Sequence, residues 1–283
     1  MPPLRAQVAV VTDSTAYLPD GVAAASGVVV VPLHVIVGAR TGREGLDISP
    51  TEVAAALTER RVKVSTSRPT PAELASAYRA CGATRIVSVH LSGDLSGTVD
   101  AAQLASAEVA AEGIEVRVVD SRSIVMGLGF AVLRAAEQAA RGADLAAVAQ
   151  AAQAHSGTTL FYVDTLEHLR KGGRIGTAAA LVGAALMVKP LLQMVEGKIA
   201  PLEKVRTAAK ALARLEELAV QAAGEHDVDV AVHHLAAPEK AAALAERLRQ
   251  RLPKLGALHL CEVGAVVGAH VGPGLLGVVV ARR

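Results

Sequence analysis

Hydroxyl side chains follow an apolar run in the middle of this sequence. The segment from Arg85 to Ala101 reads RIVSVHLSGDLSGTVDA, in which Ser92, Ser96 and Thr98 stand between a valine-rich run and a segment of helical composition. A helix start leaves backbone N–H groups without partners and carries partial positive charge, so Ser96 is expected as the N-cap. Hydroxyls at such a place could bind a carboxylate or a phosphate.

A second pattern, an apolar strand with Asp-Ser at its carboxyl end, occurs twice, at Asp13 and at Asp120. In open parallel sheets, ligands collect outside the carboxyl ends of the strands. The polar strand ends after Val11, Val89 and Val119 could therefore meet in one crevice. The alternative, in which both aspartates only cap the following helices, stays open.

His270 precedes Gly272-Pro273-Gly274, so it is expected in a glycine-rich turn. There it could donate to an anion or relay a proton, although a bond to backbone alone fits the sequence equally well. A hydrolase triad of Ser96, His270 and Asp120 is disfavoured, because Gly93-Asp94-Leu95-Ser96-Gly97 has one residue more than the nucleophile elbow Gly-x-Ser-x-Gly.

Other polar residues allow further functions. His233 and His234 are adjacent on an expected strand and would face opposite ways, which disfavours a metal site, and no metal or cofactor is expected. The second half of the sequence also carries a basic group, which consists of Lys171, Arg174, Lys204 and Arg206. This group could be a solvated face, or it could bind an acidic partner or a phosphate.

Composition narrows the class of protein. At 283 residues, two α/β domains are expected, and 52% apolar with 2% aromatic residues predicts an interior of small and branched aliphatics. A net charge of +2 argues against a dedicated nucleic-acid binder. Cys81 and Cys261 are expected to be reduced, and neither a signal peptide nor a membrane-length apolar span is visible, so the expected location is cytoplasmic, without stable membrane insertion.

The spacing of apolar residues predicts the secondary-structure elements and the domain boundary. Gln7 to Val11 and Val28 to Val37 are expected as strands of a βαβ unit, Arg40 to Asp47 and Ser65 to Pro71 as loops, and Pro190 to Lys204 as a β-hairpin. The helix from Thr177 to Val182 is expected after the basic glycine turn. With a boundary near Ser156, the domains are 1–156 and 157–283.

Together, these segments resemble the DegV family of bacterial fatty-acid-binding proteins. The resemblance covers nearly the whole chain and is carried by several motifs in a fixed order. They are VTDSTAYLP at 11–19, STSRP at 65–69, LSGDLSGT at 91–98, VVDSRS at 118–123, LEHLRKGGRIG at 166–176, KPLLQMVEGKIAPLEKVRT at 189–207 and GAHVGPGLLGV at 268–278.

The resemblance implies an N-terminal Rossmann-like parallel-sheet domain and a C-terminal mixed-sheet domain, with a lipid tunnel between them that holds one long-chain fatty acid. It implies no catalysis by this chain. A separate ATP-dependent subunit, similar to dihydroxyacetone kinases, would convert the presented carboxylate to an acyl phosphate for phospholipid synthesis.

The resemblance also assigns residues. It implies carboxylate binding by Ser65 or Thr66 and by Ser92, with Ser96 at the same turn and His270 nearby, and it assigns Arg174 to phosphoryl transfer or partner docking. Two alternatives remain: an enzyme of the same fold, either a hydrolase or a kinase subunit using Ser92 or Ser96, and a lipid-sensing regulator.

Overall fold

A computed structural model describes residues 8–59, 62–154, 157–175 and 189–283. The strands are β1 Ala9–Asp13, β2 Val28–Val31, β3 His34–Val37, β4 Arg40–Arg43, β5 Val64–Ser67, β6 Arg85–His90, β7 Glu115–Asp120, β8 Gly157–Tyr162, β9 Lys189–Val195, β10 Lys198–Val205, β11 Val228–His234, β12 Leu255–Glu262 and β13 Leu276–Arg282. The helices are α1 Val22–Ala25, α2 Pro50–Thr58, α3 Pro71–Ala80, α4 Thr98–Ala110, α5 Met126–Ala140, α6 Leu145–Gln153, α7 Glu167–Lys171, α8 Ala208–Ala223, α9 Pro238–Arg251 and α10 Ala265–Val271.

The chain forms two compact units, the first made of residues 1–33 and 68–155 and the second of residues 34–67 and 156–283. In the first unit, four parallel strands pair in the order β2-β1-β6-β7 within the described residues. This arrangement confirms the expected α/β fold with an N-terminal parallel sheet. The carboxyl ends of β1, β6 and β7 lie side by side, since Thr12 pairs with Val89 and His90 pairs with Asp120.

Small side chains allow helices to lie close to this parallel sheet. Ala101, Ala102 and Ala105 of α4 are buried with Leu74 and Tyr78 of α3 in one apolar cluster that includes strand residues. Helices α5 and α6 contact β1, β6 and β7. The alanine-rich composition therefore serves helix packing on the sheet.

The second unit contains a mixed six-stranded sheet, ordered β10-β9-β8-β13-β11-β12 in the part of the chain that the structure describes. Its hairpin β9–β10 turns at Glu196-Gly197, as the sequence predicts. A three-stranded antiparallel sheet, ordered β4-β3-β5, belongs to the same unit. Helix α10 contacts β3, β5 and α2, so it lies against this smaller sheet.

Three expectations for the first 70 residues were wrong. The run from Val28 to Val37 is two strands, because Pro32 has no N–H to continue the ladder and the chain enters a different sheet after it. The expected loop after Arg40 begins with β4, and the expected hydroxyl-rich loop begins with β5. Ser65 and Thr66 therefore lie on a strand, where β3 pairs with both neighbours.

The chain passes from the first unit to the second between residues 155 and 156, near the expected boundary, but the first unit does not include residues 34–67. Residues 34–67 group with the C-terminal part, because the small sheet and α2 pack on α10. The expected helix from Thr177 to Val182 lies outside the described residues. No helix among those that the structure describes is long and apolar enough to cross a membrane.

Candidate functional site

Two of the predicted site residues meet in the second unit. Thr66 Oγ1 lies 2.9 Å from His270 Nε2, within hydrogen-bond distance. Thr66 is on β5, opposite Val35 of β3, and His270 is in the last turn of α10. His270 was expected in a glycine turn, but Gly268 is accommodated inside α10 and only Gly272 ends the helix.

Ser65 and Thr66 are not equivalent. Successive side chains of a strand point to opposite faces, so Ser65 is on the face of β5 opposite to the one that meets His270. Of the two hydroxyls that the sequence left open, the geometry brings Thr66 to the histidine.

The surroundings of His270 keep its imidazole neutral. Burial, and secondarily the positive charge of Arg174, lowers the pKa of His270 to about 4. A neutral imidazole has one nitrogen that donates and one that accepts. In the tautomer with hydrogen on Nε2, His270 donates to Thr66, and the Thr66 hydroxyl is then free to donate onward to an anion.

Glycines bring the turn after α7 close to α10. A Cβ added to Gly172 would lie 2.3 Å from Nδ1 of His270, and one added to Gly272 would lie 2.5 Å from Cδ2 of His168. Each helix thus carries a histidine that packs on the glycine ending the other helix. Arg174 donates to the carbonyl of Gly172 and so closes the turn beside His270.

A buried carboxylate holds the other end of α10. Glu44 is 5% exposed, and its Oε1 accepts the N–H of Val266 at 2.7 Å. This bond satisfies a donor in the first turn of α10, which otherwise has no side-chain cap at Gly264. Glu44 was not singled out from the sequence, and it fixes the helix that carries His270.

In the first unit, Ser92 is buried two residues after the end of β6. Its N–H donates to the carbonyl of Ser123 at 2.9 Å, and its Oγ accepts the N–H of Asp94 at 3.3 Å. The backbone bond joins the loop after β6 to the segment after β7. Two of the three expected polar strand ends are therefore connected at Ser92.

Ser96 does not have the expected role of N-cap. Helix α4 begins at Thr98, its N-cap is Gly97, and no side chain caps it. Ser96 Oγ instead lies 2.9 Å from Thr98 Oγ1. The N–H groups of Leu95 and Ser96 both bond to the carbonyl of Ser92, so a turn lies before Gly97 and the helix begins after Ser96.

Asp13 and Asp120 both receive backbone hydrogen bonds. Asp120 accepts the N–H of Arg122 at 2.8 Å and the N–H of Gly93 at 3.2 Å. Asp13 caps the short 3-10 helix Ser14–Ala16 and also accepts the N–H of Leu91 at 3.0 Å. The capping alternative is thus realised for Asp13, together with a long-range contact that it did not include.

His90 is a buried residue that sequence reasoning missed. Its Nδ1 lies 3.0 Å from Asp13 Oδ2, and its Nε2 lies 2.7 Å from Ser88 Oγ. The available signal was the alternation Ser-Val-His, which puts Ser88 and His90 on one face of β6. Their pairing with Asp13 depends on the register of β1 against β6.

The two remaining candidate groups are the histidine pair and the basic residues, and neither forms a metal site within the described residues. His233 and His234 are buried, and burial lowers the pKa of His233 to about 3. No cluster of three or more metal-ligating side chains occurs among the described residues. Lys171 forms an ion pair with Glu167 at 2.6 Å, while Lys204 and Arg206 are exposed.

Comparisons with known proteins match nearly the whole chain to one family. The profile of the DegV family, described as uncharacterised proteins, matches residues 7–283. A DegV domain-containing protein of Streptomyces coelicolor is 56% identical over 281 residues, covering 98% of this chain and 99% of the relative.

Solved structures similar to this chain belong to the same family. A DegV family protein from Thermus thermophilus, described by its fatty acid binding, has a TM-score of 0.88 at 34% identity, with 98% of this chain and 99% of that one covered. DegV of Bacillus subtilis, described as a fatty acid binding protein, has a TM-score of 0.89 at 32% identity, with the same coverage. The fold, the order of the motifs and these relatives show that the chain belongs to the DegV family.

Proposed function

We propose that this chain binds a long-chain fatty acid in a buried tunnel and presents its carboxylate to a separate, ATP-dependent kinase subunit that forms the acyl phosphate. The observation that carries the binding half is the contact between Thr66 and the half-buried, neutral His270, in a family whose solved members from T. thermophilus and B. subtilis bind fatty acids. The chain itself acts as a cytoplasmic carrier.

The energetics of such a ligand divide between its tail and its head group. Burying an alkyl chain in an aliphatic interior contributes about 0.8 kcal/mol per methylene, which supplies the affinity. A carboxylate must be given donors, since its bare burial costs several kcal/mol. Hydroxyl donors such as Thr66 and Ser92 meet that need without a fixed countercharge, and this would ease release of an acyl phosphate.

The first test measures the bound lipid. We expect one free fatty acid per chain when the purified protein is extracted with organic solvent and the extract is analysed by mass spectrometry. Thr66→Ala removes the hydroxyl and should lower fatty acid retention about tenfold, the loss of roughly one charge-assisted hydrogen bond.

Ser67→Ala is the matched control, because Ser67 is the next residue of β5, is exposed and lies on the other face. It should retain lipid like the unsubstituted chain. A lipid-free extract, together with no uptake of added fatty acid, would contradict the carrier function.

The kinase half of the proposal assigns a role to Arg174, whose guanidinium donates to the Gly172 carbonyl beside His270. We expect Arg174→Ala to keep its fatty acid but to be phosphorylated at least about tenfold more slowly by the dihydroxyacetone-kinase-like subunit of the same genome, because an arginine contact to phosphoryl oxygens is lost. Acyl phosphate can be trapped with hydroxylamine and counted. Equal loss of lipid in Arg174→Ala and Thr66→Ala would remove this division of roles.

A further inference from the structure

A chain of hydrogen-bonded side chains is enclosed in the first unit. Tyr78 O–H donates to Ser88 Oγ at 2.9 Å, Ser88 Oγ lies 2.7 Å from His90 Nε2, and His90 Nδ1 lies 3.0 Å from Asp13 Oδ2. All four side chains are 0% exposed. With hydrogen on Nδ1 of His90, every donor in the chain points toward the carboxylate of Asp13.

The order Ser88, His90, Asp13 has the contacts of a hydrolase triad, but its surroundings do not allow one to work. A nucleophile must reach its substrate, whereas Ser88 has no exposed surface and already accepts a hydrogen bond from Tyr78. The residues are therefore available for a different task, which the other contacts of Asp13 identify.

Asp13 ties two strand ends together. Its Oδ2 accepts both His90 Nδ1–H and the N–H of Leu91, the first residue after β6, at 3.0 Å each. Its Oδ1 accepts the N–H of Thr15 at 3.1 Å and the Thr15 hydroxyl. Because four donors converge on one carboxylate, the carboxylate cannot rotate without losing a bond.

Ser92 follows Leu91 directly, so the backbone leading into Ser92 is held by two consecutive N–H groups. Leu91 N–H is bound to Asp13, and Ser92 N–H is bound to the carbonyl of Ser123. A head-group donor must be held within about 0.5 Å of its productive position to keep its full value. The rigid support of Ser92 comes from Asp13, whose orientation His90 fixes.

We infer that Asp13 and His90 are positioning residues that hold Ser92 for selective binding of a carboxylate head group. The inference rests on the proposed function and deepens it: the buried pair selects the acid over a neutral lipid of the same chain length, while the alkyl tail supplies affinity for both. A merely structural pair would affect the two lipids equally.

The test uses delipidated full-length protein, loaded with an equimolar excess of palmitic acid and methyl palmitate, freed of unbound lipid and extracted. Asp13→Asn keeps the shape of the side chain but has only one oxygen, so an amide nitrogen faces either the Leu91 N–H and His90 or, with the amide flipped, the Thr15 N–H. We expect the ratio of bound acid to bound ester to fall about tenfold, the loss of one hydrogen bond to a charged group. The ester content should stay near that of the unsubstituted chain.

Thr12→Val is the matched control, because Thr12 precedes Asp13, is fully buried, and its Oγ1 has no hydrogen-bond partner in the described part of the chain. This variant should keep the wild-type ratio. If Asp13→Asn does not fold, His90→Gln takes its place and should also lower the ratio.

Three results would overturn the inference: a wild-type ratio in Asp13→Asn, equal loss of both lipids in that variant, or a wild-type ratio in a folded His90→Gln when Asp13→Asn is unfolded. An unsubstituted chain that takes up neither lipid would instead overturn the proposed function itself, and the inference with it.

Discussion

Two histidines, one in each unit, differ in what they bind: His90 is fully buried and His270 is half-buried. His90 lies between a carboxylate, Asp13, and a hydroxyl, Ser88, and none of its side chain is exposed. His270 lies against a hydroxyl, Thr66, and its neighbouring charge is the cation Arg174. Their positions in the chain are similar, since His90 is the last residue of β6 and His270 is in the last turn of α10.

The difference in partners implies a difference in role. A histidine bonded to a buried carboxylate completes the hydrogen bonding of that carboxylate, so it belongs to the scaffold. A neutral histidine bonded to a hydroxyl adjusts the direction in which that hydroxyl donates, so it suits a site that must accept an anion. On the proposals made above, the first histidine serves rigidity and the second contacts the ligand.

The largest expected effect concerns stability. His90→Leu leaves the buried carboxylate of Asp13 without its imidazole donor and should lower the free energy of unfolding by about 3–5 kcal/mol. His270→Leu removes a bond between neutral groups and should cost about 1 kcal/mol. Urea unfolding of delipidated protein at neutral pH measures both values.

Equal losses of unfolding free energy in His90→Leu and His270→Leu would contradict the comparison, because the hydrogen-bond partner of each histidine would then not determine how much it stabilises the fold. The slope of the free energy against urea must match that of the unsubstituted chain, so that the values refer to the same unfolded state.

Much of the first unit could be predicted from local pattern. The apolar run ending in Asp13 and the central segment ending in Ser92 are typical of strands whose polar ends collect on one edge of a parallel sheet. The order β2-β1-β6-β7 brings those ends together. What local pattern could not give was the role of His90, since its contact with Asp13 joins residues 77 positions apart.

The second unit was harder to predict. Strands β3 and β5 are four residues each, and the hydroxyls of β5 are as typical of a loop as of a strand. Helix α10 has Gly268 in its interior and Gly264 and Gly272 as its caps, and glycine disfavours helices when it is judged by propensity alone. Its anchor, Glu44, is 222 residues from Val266, so no local signal could pair them.

The resemblance to the DegV family supplied a shared role for residues that local sequence patterns did not connect. It assigned Ser65 or Thr66, together with Ser92 and His270, to one function, and the structure brings Thr66 and His270 within hydrogen-bond distance. It gave no reason to look at Asp13 and His90, because their value lies in contacts with backbone and with each other. Supporting residues of this kind become visible only when strand register is known.

The last expected effect, smaller than that of His90→Leu, is a change in stability with pH that separates His270 from the rest of the protein. Burial lowers the pKa of His270 from its ordinary 6.5 to about 4, so below pH 6.5 the unfolded chain binds a proton at this position that the folded chain does not. The stability associated with neutral His270 is complete above pH 6.5 and is lost as pH falls toward 4. The loss reaches about 2 kcal/mol near pH 5.

The His270→Leu variant has no such proton to bind, so its stability should fall less steeply between pH 6.5 and 5. It should be the less stable protein at neutral pH and the more stable one near pH 5, with a crossing in between. His233, whose pKa burial also lowers, is present in both proteins and cancels in the difference. Parallel pH profiles for the two proteins, measured by urea unfolding without lipid, would mean that His270 titrates normally in the fold. The contrast with the carboxylate-bound His90 would then lose its electrostatic basis.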